Sequence, residues 1–159
     1  MNRTVKISLE RPDQSDVAVL IDDLDAYQKP LYPAESHHGI DMAALLQPNV
    51  MFAVVRDDAG VAIGCGALVL NADYGELKRM YLRPQHRGRG LAQALLEFLE
   101  VQAAARGCHC YALETGIHQL SAITLYERAG YLRCAPFGAY APDPLSVFMS
   151  KSAGEPSPS

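Results

Sequence analysis

Leu82-Arg83-Pro84-Gln85-His86-Arg87-Gly88-Arg89-Gly90-Leu91 is the stretch from which the rest of the chain is read. Before it, Gly75 to Arg83 is a β-rich run that Pro84 ends. After it, a helix is predicted from about Gly88 to Arg106. Leu91, Ala94, Leu95 and Phe98 fall on one face and Gln93, Glu97 and Glu100 on the other. The stretch is therefore a strand-to-helix junction with two near-adjacent glycines. A helix N-terminus exposes unpaired N–H groups and the positive end of the dipole, which suits phosphate. Glycine removes the Cβ that would hold an anion off the backbone. Arg87 and Arg89 add positive charge. Two known phosphate loops fail in detail. Counted from Gly88, GxGxxG needs a glycine where Gln93 stands, and no GK[ST] follows. What remains is Q-x-x-G-x-G between a strand and a long helix.

Outward from this junction the other elements follow. Thr4 to Leu9 alternates and reads as a strand. Pro12-Asp13 opens a helix to about Tyr27, with Val17, Leu20, Ile21 and Leu24 at helical spacing. Asp41 is placed to cap a short helix through Leu46, stopped by Pro48. Val50 to Arg56 and Val61 to Leu70 flank the turn Asp57-Asp58-Ala59-Gly60 and form a hairpin. Beyond the junction come a strand from Cys108 to Glu114 and a helix from Leu120 to Ala129, ended by Gly130. Closing strands are expected at Tyr131 to Cys134 and Leu145 to Met149. The order β-α-α-β-β-β-α-β-α-β-β favours an α+β fold, a mixed and mostly antiparallel sheet flanked by helices, over a doubly wound parallel sheet. No repeat or linker divides the chain. Residues 1–151 are read as one domain, and the Pro/Ser-rich residues 152–159 as a disordered tail.

Composition narrows the function classes. The 159 residues suffice for one buried core. A net charge of −4 offers no basic field for nucleic acid. No apolar run approaches a membrane span, and no signal peptide is read. The four cysteines form no CxxC pair. Cys108-His109-Cys110 looks metal-like, but in a strand Cys108 and Cys110 share a face that His109 does not. No second ligand pair follows at zinc-site spacing. Buried, reduced thiols in a cytoplasmic protein are expected, and no metal.

The run Glu76-Leu77-Lys78-Arg79-Met80-Tyr81-Leu82-Arg83-Pro84, followed by Q-H-R-G-R-G, resembles motif A of the GNAT superfamily of N-acetyltransferases. Ala122-Ile123-Thr124-Leu125-Tyr126-Glu127-Arg128-Ala129-Gly130-Tyr131 resembles that superfamily's A-x-x-L-Y-x-x-x-G-[FY] signature. The two motifs stand in the family's order and spacing, and the element order agrees over nearly the whole chain. The ending, from Pro136 to Val147, is similar to that of small bacterial members.

The resemblance implies a GNAT-like acyl-CoA N-acyltransferase fold with acetyl-CoA as co-substrate. Backbone amides of Arg87, Gly88, Arg89, Gly90 and Leu91 would hold the pyrophosphate, with Gln85 in the same loop. The strand through Met80, Tyr81 and Leu82 would lend its free edge to the pantetheine arm. A splay or bulge beside that strand would make room for the thioester and bring a backbone N–H to its carbonyl. Tyr126 matches the tyrosine that protonates the leaving thiolate in many members. Gln119 stands where many members carry a cofactor-contacting asparagine. Glu76 matches a glutamate that activates the acceptor amine in several members. The competing reading of Glu76 is a carboxylate paired with Lys78 or an arginine. Glu114 is a second candidate on the acceptor side, its competing reading a loop-facing salt bridge.

For the acceptor, the loop Leu31-Tyr32-Pro33-Ala34-Glu35-Ser36-His37-His38 is rich in polar groups. Tyr32, Glu35, His37 and His38 are candidate substrate contacts, with Tyr140 and Phe137 as walls. The expected reaction is direct transfer to the amine of a small molecule in a ternary complex. The alternatives are a non-catalytic acetyl-CoA-binding or sensing module, and a protein N-terminal or lysine acetyltransferase. Many members are dimers, so the resemblance allows a homodimer.

Overall fold

The computed structural model describes residues 4–33 and 40–152. Seven strands form one sheet: β1 (Lys6–Leu9), β2 (Val50–Arg56), β3 (Ala62–Leu70), β4 (Gly75–Leu82), β5 (Cys110–Gly116), β6 (Leu132–Arg133) and β7 (Ser146–Ser152). Four helices accompany it: α1 (Ser15–Gln28), α2 (Met42–Leu45), α3 (Leu91–Ala105) and α4 (Leu120–Arg128). The spatial order is β1-β2-β3-β4-β5-β7-β6. Only β4 and β5 pair in parallel, joined by the α3 crossover; every other pair is antiparallel. The expected mixed, mostly antiparallel α+β sheet is present, with its elements in the expected order.

The local chemistry explains most boundaries. The Asp41 carboxylate accepts from Ala44 N at 2.9 Å and caps α2. Asp57 closes the β2–β3 turn by accepting from Ala59 N and Val61 N, both at 2.9 Å. Three readings need correction. Helix α3 begins at Leu91, not Gly88, because Gly88 and Gly90 adopt φ of 80° and 76°. Left-handed residues cannot belong to a right-handed helix. Its buried face is Leu95, Leu96, Leu99 and Ala103, rotated from the predicted stripe. Strand β5 begins at Cys110, so Cys108 lies outside it, and Cys110 and Cys134 are exposed. Cys65 alone among the four thiols is buried, and burial pushes it up to about 12.

The sheet separates two apolar clusters. Leu77, Tyr111, Leu113 and Met149 face α3 and α4, packing with Leu95, Leu99, Ile123 and Tyr126. Phe52, Val54, Cys65 and Ala67 face the other way, packing with Val17, Leu20 and Ile21 of α1 and Leu45 of α2. All four residues predicted for the buried stripe of α1 are buried.

Two irregularities in β4 matter for function. Against β3, Cys65 pairs with Tyr81 but Ala67 pairs with Lys78, so β4 carries one extra residue. Arg79 sits there at φ 57°, and it is the one non-glycine residue of positive φ among the described residues. Against β5, pairing covers Gly75, Glu76 and Leu77 opposite Tyr111, Ala112 and Leu113, and then ends. From Lys78 onward no strand among the described residues pairs with β4 on that side.

Candidate functional site

The end of β4–β5 pairing leaves a cavity of about 290 Å³ where the strands diverge. Lys78, Arg79 and Met80 line it from β4, and Glu114, Thr115 and Gly116 from β5. Strand alternation sorts its walls. Leu77 and Leu113 face α3 and α4, so Glu76, Lys78 and Glu114 face the α1/α2 side. The cavity therefore opens through the sheet, with a charged wall on one face and an α4 wall on the other.

On the α1/α2 face, Glu76 is buried at 8 % exposure. Tyr140 donates its hydroxyl proton to Glu76 Oε2 at 2.5 Å, and Lys78 Nζ lies 3.2 Å from the same oxygen. Lys78 Nζ also donates to the Tyr140 hydroxyl at 2.8 Å. Burial, then the Glu76 hydrogen bond, pushes the Tyr140 phenol far above its ordinary range. The Tyr140 ring is seated edge-on against Phe137 and Phe148, at 5.1 Å and 5.4 Å. Glu114 accepts from Ser146 Oγ at 2.8 Å. Tyr32 crosses the far end, where its hydroxyl accepts from His118 N at 3.3 Å and its ring stacks on His118. It lies over Gly116, whose absent Cβ would occupy the place of the Tyr32 hydroxyl.

On the α3/α4 face, Tyr126 lines the cavity with 6 % exposure. Burial holds its phenol well above the ordinary tyrosine range. Its ring meets Tyr131 edge-on at 5.7 Å, and no described residue hydrogen-bonds its hydroxyl. Buried hydroxyls normally have a partner, so this one is available to a ligand. Gln119, just before α4, and Thr115, 8 % exposed on β5, line the same side.

The glycine loop lies beyond the cavity and is exposed. A short 3₁₀ turn, Pro84–His86, carries Gln85; no side chain caps α3. A Cβ at Gly88 or Gly90 would meet nothing within 4 Å, so these glycines serve conformation rather than space. Arg87 is held back, donating to Leu82 O at 2.9 Å and lying 5.8 Å over the Tyr81 ring. An uncapped 15-residue helix presents its first N–H groups to solvent, a ready site for an anion.

The structure thus brings Glu76, Met80, Glu114, Gln119, Tyr126, Tyr32 and Tyr140 around one cavity. Leu82, Gln85, Arg87, Gly88, Arg89, Gly90 and Leu91 line up outside it, and the Tyr81 side chain packs on the α1/α2 cluster. The candidates Glu35, His37 and His38 lie outside the described residues. Both readings of Glu76 meet here, since it faces the cavity and also pairs with Lys78. Sequence reasoning missed Asp25, Arg79, Thr115 and Gly116. Only Gly116 left a signal, a glycine at the end of a strand.

This arrangement coincides with a family match. Residues 17–131 match the Acetyltransferase (GNAT) family. The chain belongs to the GNAT acetyltransferases. It is 44 % identical over 149 residues to an IAA acetyltransferase of Azospirillum brasilense, covering 92 % of this chain and 97 % of that one. It is 37 % identical over 122 residues to the N-acetyltransferase YsnE of Bacillus subtilis, covering 75 % and 80 %. A Klebsiella pneumoniae structure assigned to the acyl-CoA N-acyltransferases superposes with a TM-score of 0.85 at 43 % identity, covering 95 % of this chain and 99 % of that one. PaiA N-acetyltransferase of Thermoplasma acidophilum, solved with coenzyme A, shares the fold with a TM-score of 0.70 at 16 % identity, over 94 % and 99 % of the two chains. As a GNAT acetyltransferase, this chain is an acyltransferase.

Proposed function

We propose that this GNAT enzyme moves the acetyl group of acetyl-CoA directly to the amine of a small molecule, with both substrates bound at once. The observation that carries this reading is the cavity itself. It joins Glu76 on one face of the sheet to Tyr126 on the other through the gap between β4 and β5.

The two faces suit two different substrates. The unpaired edge of β4 beyond Leu77 offers backbone groups to an extended pantetheine arm. The bare N-terminus of α3 and the loop from Arg87 to Leu91 suit its pyrophosphate. The coenzyme A bound by the Thermoplasma relative supports this cofactor class. The small chamber beside Glu76 suits a small acceptor better than a polypeptide tail.

The chemistry then divides between the walls. Glu76 takes a proton from the acceptor's ammonium, leaving a neutral amine. The amine nitrogen bonds to the thioester carbonyl carbon, and the resulting oxyanion is met by a backbone N–H at the β4 irregularity. The carbon–sulfur bond breaks. Tyr126, kept protonated by burial, passes its proton to the departing sulfur and takes back, through solvent in the cavity, the proton that the nitrogen sheds as the amide forms. The products are an acetylated amine and coenzyme A.

Incubation with acetyl-CoA and a broad panel of small amines is expected to release free thiol. Absence of both thiol release and calorimetric acetyl-CoA binding would overturn the reading. Tight binding without turnover, unchanged in Tyr126→Phe, would instead favour a sensing module.

A further inference from the structure

Arg79 is the residue of the site that its surroundings explain least. Its backbone occupies the left-handed region at the extra residue of β4, costly for a side chain with a Cβ. Its guanidinium is nearly buried, with 11 % of the side chain exposed. It reaches away from β4 to two points. One is the carboxylate of Asp25, in the last turns of α1, which it meets in a short charge-assisted contact. The other is the carbonyl of Ile40, just before α2, to which Nη2 donates at 2.8 Å and Nε at 3.2 Å. Asp25, Ile40 and Arg79 all line the cavity.

These contacts bracket the chain between α1 and α2. Asp25 stands before it and Ile40 after it, and Tyr32, which crosses the cavity mouth, lies between them. One guanidinium thus ties Asp25 to Ile40, on either side of Tyr32 in the chain. The same residue forms the irregularity in the strand edge where the thioester would lie. A planar fork can hold two acceptors at fixed angles, which a lysine cannot.

From this geometry we infer that Arg79 is a positioning residue for the acceptor. It fixes the wall that carries Tyr32 at a set distance from the opened edge of β4, so the acceptor amine meets the thioester in register. The inference rests on the transfer reading above, and its test separates the two.

The test uses the full chain with Arg79→Lys, Arg79→Met and Asp25→Asn, each checked for folding by its melting transition. Small displacements of reacting groups are costly to rate. For the best amine of the panel, Arg79→Met is expected to raise KM about tenfold, with acetyl-CoA affinity by calorimetry changed less than about twofold. Arg79→Lys, which keeps the Asp25 pair but not the fork on Ile40, should recover only part of the loss. Asp25→Asn should fall between wild type and Arg79→Met. Hydrogen exchange needs no known acceptor. It should quicken at residues 24–32 and 40–45 in Arg79→Met while α3 and α4 keep wild-type protection. Equal loss of acetyl-CoA affinity, full rescue by lysine, or unchanged exchange beside α1 would overturn the inference. If no amine is turned over, the transfer reading fails, and the exchange experiment still decides what Arg79 holds.

Discussion

The two sides of the opened sheet are fastened by different physics. The α3/α4 side is closed by one broad apolar cluster running from Leu95 and Leu99 to Ile123 and Tyr126, with a single ion pair there among the described residues, Lys151 on β7 to Glu100 on α3 at 2.8 Å. The α1/α2 side has a smaller cluster and adds ion pairs. Arg56 on β2 holds Glu10 and Asp16, Arg83 after β4 holds Asp23, and Arg79 holds Asp25. Two arginines of the sheet and one just after it thus grip acids on α1 or just ahead of it. Apolar contact is non-directional and tolerates small slides. A forked ion pair fixes a point-to-point distance. The α1/α2 wall is therefore pinned mainly at points, while the α3/α4 wall is packed mainly as a body. One consequence is that the two walls should respond differently to substitution, salt and pH.

The largest expected effect lies on the packed side. Tyr126→Phe should lower kcat about 100-fold, the lower end of what a general acid contributes. Acetyl-CoA affinity by calorimetry should stay near wild type. An undiminished kcat would remove Tyr126 from the chemistry and leave it a core residue.

Gly116→Ala comes next, on the acceptor side. The new methyl group must displace the Tyr32 ring, and overpacking of this kind costs about 2 kcal/mol. Urea denaturation should show that loss. In a Tyr32→Ala background the same change should cost far less, because the two residues share one volume. Equal costs in both backgrounds would mean that the ring has room to move.

Gly90→Ala should be milder, at about 1 kcal/mol for holding an alanine in the left-handed region. Its mark should fall on acetyl-CoA, about fivefold weaker by calorimetry, with the amine KM unmoved. A shift confined to the amine would contradict the assignment of the loop.

The smallest effect is a pH effect on the pinned side. The Arg56 guanidinium beside Glu10 holds its carboxyl down from 4.5 to about 2. A carboxyl held down in the folded state favours folding above its ordinary value. That contribution is fully present above about 4.5 and is lost as pH falls toward 2. Glu10→Gln should thus lower the melting temperature at pH 7, and the difference from wild type should shrink between pH 4.5 and pH 3. A difference constant with pH would mean that Glu10 acts through shape alone.

Local packing patterns were legible in the sequence on both sides, and the long-range pins were not. Helical spacing found Val17, Leu20, Ile21 and Leu24, and alternation with turn residues found the β2–β3 hairpin, because both depend on neighbours in the chain. The glycine loop and Tyr126 were legible as spaced motifs. The start of α3 was misplaced by three residues, since Gly88 and Gly90 look like helix residues until their φ angles are known. Arg79 was invisible. Its partners, Asp25 and Ile40, lie 54 and 39 residues away, and nothing local marks a left-handed arginine. Glu76 was found, but its clasp with Tyr140 spans 64 residues and could not be read from either segment.

The parting of β4 and β5 after three residue pairs also bears on traffic. A slot open on both faces of a sheet has two doors. In the proposed transfer, acetyl-CoA entering beside Tyr126 would not obstruct an acceptor entering beside Glu76, and neither product would wait for the other to leave. Initial-rate lines that intersect, with each product inhibiting without a compulsory order, would be the kinetic trace of that slot.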